Sequence, residues 1–150
     1  MKTIAFTSLL LLPLLLIYAG EERPQEFYDP DVQRLLHVPS LAFGGVGITG
    51  QTSEGEAAFQ AIVKKKESIR FFIVAFEYGD APARCYSLIA LRELSPEVFR
   101  ESLARARKNL PKKIMMMHGC VMSKAKPETV YDAIEAGNYA EYFKRYQGKS

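Results

Sequence analysis

Apolar positions along the chain fall into three patterns. Ile4 to Ala19 is an uncharged, leucine-rich run set between Lys2 and the polar Glu21-Glu22-Arg23. Several later segments repeat apolar residues at i, i+3, i+4 and i+7, the spacing of an amphipathic helix. Two others, residues 67–78 and 113–122, admit an extended reading.

The helical segments carry start and stop signals. Asp29-Pro30 is a cap followed by a first-turn proline, and the helix it opens runs through Leu35-Leu36 and must stop before Pro39. Ser53 with Glu56 reads as a capping box for a helix whose Ala58, Phe59, Ile62 and Val63 share one side. Asp80 with Pro82 opens a helix to Leu94 that is apolar around most of its circumference, as a central buried helix should be. Ser95-Pro96 starts the next, with Phe99, Leu103, Ala106 and Leu110 as its stripe. Pro127 opens a helix through Val130, Tyr131 and Ile134 that ends at Gly137. Asn138 restarts a last one in which Tyr139, Tyr142, Phe143 and Tyr146 line one face.

In residues 67–78, Ile69, Phe72, Ile73 and Phe76 fit a helix, while Ile69, Phe71, Ile73 and Ala75 alternate as in a strand; Gly79 as a C-terminal cap favours helix. Residues 113–122 read as extended. The expected fold is therefore all-α, about five or six helices in antiparallel hairpins with one short extended segment. The alternative is α+β, with a small hairpin made from 67–78 and 113–122. Ala81 to Leu110 is loosely similar to a HEAT-type helical hairpin, a resemblance that implies a packing surface and no particular function.

The first apolar run has the order of a secretory leader, and Ala19 is the better small residue for cleavage, so residues 1–19 are expected to be a signal peptide and the mature chain to start at Gly20. The run is short for a bilayer span and contains Pro13, which argues against a retained anchor. The expected organisation is then an N-terminal arm over 20–52, comprising a short helix and a glycine-rich linker, and a helical domain over 53–150. The expected location is secreted or periplasmic, with no stable membrane insertion expected after cleavage. The chain has 150 residues and a formal charge of +3 with acids and bases interleaved, a balance that gives no support to nucleic-acid binding. Lys64-Lys65-Lys66 falls where a helix end would accept cations.

Four features could carry chemistry. Gly45-Val46-Gly47-Ile48-Thr49-Gly50 matches GxGxxG, but a short helix and Pro39 precede it where a dinucleotide site needs a strand inside a βαβ unit, so no cofactor is expected. Cys85 and Cys120 are the two cysteines, and in an oxidising compartment they are expected to form a disulfide worth about 3 to 4 kcal/mol. If 115–122 is one continuous strand, Met116, His118, Cys120 and Met122 share a face as soft donors suited to copper. Cys120 beside His118 could be an activated thiol, although no orienting partner or oxyanion site is evident. The stripe Tyr139, Tyr142, Phe143 and Tyr146 could dock a partner or close the core. The expected role is non-enzymatic: an exported interaction, inhibitor or structural module with an unidentified protein partner. A copper-binding protein using 115–122 and a small thiol enzyme are the alternatives.

Overall fold

The computed structural model of the protein describes residues 22–148; the expected leader, 1–19, lies outside them. Among the described residues a single 3-10 turn (Gln25–Tyr28) leads into α1 (Pro30–Leu36), β1 (Leu41–Val46), α2 (Glu54–Val63), α3 (Ser68–Tyr78), α4 (Ala81–Leu94) and α5 (Pro96–Lys108). The strands β2 (Ile114–Gly119) and β3 (Val121–Ala125) follow, then α6 (Pro127–Glu135) and α7 (Ala140–Gln147).

The caps form largely as their residues dictate. Asp29 Oδ1 accepts from the Asp31 and Val32 amides at 3.0 and 3.4 Å, and Ser53 Oγ accepts from Glu56 at 3.0 Å. Lys65, in the middle of the lysine run, lies 3.1 Å from Asp29 and 2.9 Å from Asp31, so it ties the end of α2 to the start of α1. Its hydrogen bond to Asp31 is the main cause of a raised pKa. Residues 68–78 are helix: Phe72, Ala75 and Phe76 share a buried side, and the Gly79 amide closes the last turn on Ala75 at 3.0 Å. On α4 the buried set Cys85, Tyr86, Leu88, Ile89, Ala90 and Leu91 occupies most of the circumference, confirming its central place. Phe99, Leu103 and Ala106 of α5 are buried, whereas Leu110 falls beyond the helix end and is 41% exposed.

The fold is mainly helical with a small sheet, α+β rather than all-α. The sheet is not the expected hairpin of 67–78 with 113–122. Its order is β1-β2-β3, with β1 parallel and β3 antiparallel to β2. The glycine-rich stretch from Gly44, expected as a linker, begins inside β1 and supplies its last three residues, after Leu41, Ala42 and Phe43, which are all buried, a sign of cover on both faces. Its glycines serve the geometry that follows those residues, since Gly44 and Gly45 have φ of +77° and +76° where the register with β2 slips. Residues of α1 and β1 belong to the same hydrophobic cluster as α2 to α7.

The free edge of β1 is closed by side chains. Tyr86 of α4 accepts from the Ala42 amide at 3.0 Å and donates to the Ala42 carbonyl at 2.6 Å. Ser53 donates to that same carbonyl at 3.2 Å. Gly44 donates to Glu56 Oε2 at 3.1 Å, and Val46 exchanges both backbone bonds with Gln51. Glu56 does not reach back to its cap as a capping box would: it is 3% exposed and its other oxygen accepts from Tyr146 of α7.

Tyr86→Phe is expected to lower stability by about 1–3 kcal/mol, read from the urea midpoint, because it strands the Ala42 amide and leaves the Ala42 carbonyl with Ser53 alone. Burial pushes the hydroxyls of Tyr86 and Tyr146 up to about 12 from an ordinary 10.0. The folded state thus holds these protons more tightly than the unfolded chain. Stability is expected to be intact below about pH 10 and to fall between about pH 10 and 12, as followed by circular dichroism.

Candidate functional site

The Met-His-Cys segment is a hairpin rather than one continuous strand. Gly119 and Cys120 form a two-residue turn, with Gly119 at φ +55° in the first central position, where a type II′ turn favours glycine. The register pairs Met116 with Ser123, Met117 with Met122, and His118 with Val121. Directly paired residues share a face, so Met122 lies with Met117 on the face opposite Met116 and His118. The four soft donors expected on one face are divided by the turn. Met116 is buried in the core, and His118, Cys120 and Met122 are exposed.

The expected disulfide is not formed, and both cysteines are free. Cys85 is fully buried on the central helix while Cys120 stands exposed at the turn tip. Burial raises the Cys85 thiol far above its ordinary range. Among the described residues no hydrogen bond joins Cys120 to His118.

The aromatic stripe closes the core. Phe43 stacks on Tyr142 at 4.5 Å and lies 5.9 Å from the half-buried Tyr139, while Phe143 and Tyr146 are buried against Phe59. These residues hold β1 in place and present little of themselves to a partner.

What sequence reasoning missed is the end of the sheet. Gly47 donates to the Gly119 carbonyl at 3.0 Å, so the turn after β1 and the turn between β2 and β3 stand side by side. Together they display Ile48, Val121 and Met122, which are 98%, 67% and 52% exposed. Periodicity could not reveal this, because it marks faces of elements and not which loop tips meet.

The second missed feature is charge. Acids and bases interleave over much of the chain, but residues 102–127 contain no Asp or Glu, and residues 35–53 contain no Asp, Glu, Lys or Arg. All three strands therefore lack a carboxylate. Arg105 and Arg107 are paired with acids of other helices. Lys108, Lys112, Lys113, Lys124 and Lys126 are exposed and make no ion pair among the described residues. This signal was readable by scanning for missing acids.

The third is hydrogen bonding at β3, which among the described residues pairs only with β2. The residues flanking a two-residue turn exchange both backbone bonds, and alternation then turns the next residue outward. Met122 and Lys124 thus direct their amides and carbonyls away from β2, toward the open side. Two concavities elsewhere, of about 280 and 450 Å³, are lined by residues such as Arg84 with Tyr131 and Arg70 with Glu26, and none of the sheet's residues takes part in either.

Alkylation of the native protein with iodoacetamide is expected to label Cys120 and spare Cys85, with a second label only after unfolding; peptide mass spectrometry reads both sites. Set against protein-family models, curated proteins and solved structures, the chain matches none, so the similarity of 81–110 to a HEAT-type pair stays local and function must rest on the geometry.

Proposed function

We propose that the protein is an exported interaction module that binds an extended segment of a partner protein along β3. The observation that carries this is the contrast between the sheet's two edges. On β1, both backbone groups of Ala42 and of Val46, and the amide of Gly44, are satisfied from within the chain. On β3, Met122 and Lys124 turn theirs to solvent beside exposed apolar side chains. An edge of this kind is the template for strand addition, in which main-chain bonds give affinity and alternate side chains give selectivity.

Export is read from the order of the leader sequence, and a binding role outside the cytoplasm needs no cofactor. The hairpin register weighs against a copper site built from Met116, His118, Cys120 and Met122, because it parts them. A thiol enzyme would need Cys120 held beside a base, and its exposed position at a turn tip offers little to hold a substrate.

Selection from an unbiased display library of unstructured peptides is the direct test. Binders are expected to perturb the backbone amide resonances of 121–126 and little else. Selected peptides that map to helical surfaces, or a library yielding no binder, would contradict the proposal.

A further inference from the structure

We infer that the segment added to β3 is acidic as well as apolar: an extended peptide with aliphatic side chains near the turn tips and carboxylates toward the base of the hairpin. This rests on the strand-addition reading and names the partner's chemistry. Three observations converge on it.

The first is a gradient along β3. At the turn end, Val121 and Met122 stand exposed on opposite faces of β3, at the same end of the sheet as the exposed Ile48. At the base, Lys124 and Lys126 continue the strand direction, and Ile114 pairs with Ala125, so Lys112 and Lys113 arrive beside them from the neighbouring strand. The second is that these lysines have no carboxylate on the sheet to answer them. Isolated exposed pairs contribute little each, but several like charges gathered at the base of the hairpin select the sign of a partner and speed its approach. The third is the methionines: Met115 and Met117 are half-buried beside Met122, and flexible thioethers adapt to differing aliphatic side chains.

Two other occupants fit less well. A second copy pairing β3 with β3 would gather two sets of lysines with no carboxylate between them. An anionic bilayer would suit the lysines and the apolar tips, but seating β3 in it would bury the outward groups of Met122 and Lys124 with nothing to bond them, which hydrocarbon does not tolerate. Another strand supplies both the missing bonds and the opposite charge.

Fluorescence anisotropy with defined probes tests this on the mature chain. Probes are blocked peptides of about eight residues, long enough for one strand, with valine and isoleucine in one half and glutamate in the other, in both orders. One of the two orders is expected to bind, and replacing its glutamates with lysine should weaken binding at least about tenfold. Lys124→Glu with Lys126→Glu should weaken the acidic probe by a similar factor and let the lysine probe bind in its place. Lys124→Pro, which removes an outward amide and leaves the β2 ladder intact, should weaken every probe. Circular dichroism confirms that each variant folds.

If neutral and acidic probes bind β3 equally, the charge inference fails and strand addition survives. If no probe binds while peptides from the unbiased library do so at β3, the stated chemistry is wrong; if neither binds, both readings fall. Binding to phosphatidylglycerol vesicles without binding to any peptide would overturn the inference in favour of a lipid surface.

Discussion

The structure depends on how one short strand is held. β1 has three buried apolar residues and then glycines, too little side chain to fix its position unaided. A hydroxyl from the central helix, bonded to both backbone groups of Ala42, makes up for this, and the buried Glu56 carboxylate repeats the device at Gly44 while gripping α7 through Tyr146. Buried polar groups cost stability unless paired, so these bonds specify the place of β1 as well as strengthening it. With β1 fixed, β2 has a parallel neighbour on one side, and β3 is left as the outer strand.

A division of labour follows within one small domain. Helices α1 to α7 build the core and close one edge of the sheet, and the chain spends its aromatic residues there: Phe43, Phe59, Tyr86, Tyr142 and Tyr146 lie in mutual contact. The other edge carries no aromatic and no acid: β3 is Val121, Met122, Ser123, Lys124 and Ala125, with Lys126 after it. Lysine on an edge strand is a common guard against unplanned pairing. Under the proposed function the same lysines would discourage self-association and leave an acidic strand acceptable, so protection and selectivity would come from the same charges.

The helices were legible because their caps and apolar stripes are local signals. Asp29-Pro30, Ser53 and Ser95-Pro96 mark starts that the structure keeps, and residues 67–78 resolve as the Gly79 cap suggested. The sheet was not legible, for a physical reason in each strand. Glycines hid β1, whose burial depends on a tyrosine distant in sequence. Period-two counting through Gly119-Cys120 ignored that a glycine there turns the chain, so a face assigned by counting was split in two. The cysteine pairing failed because compartment and count say nothing of where a thiol sits: Cys85 was spent on the core and Cys120 on a turn. Glu56 fitted a capping box and was used instead as a buried tie.

The central claim is that the two edges differ: β1 closed from within, β3 open. Amide hydrogen exchange in the free protein measures this most directly, residue by residue. The expected result is slow exchange at Ala42 and Gly44, close to the global limit, with fast exchange at Met122 and Lys124. Protection of Met122 and Lys124 equal to that of Ala42 and Gly44, in the absence of any partner, would contradict it.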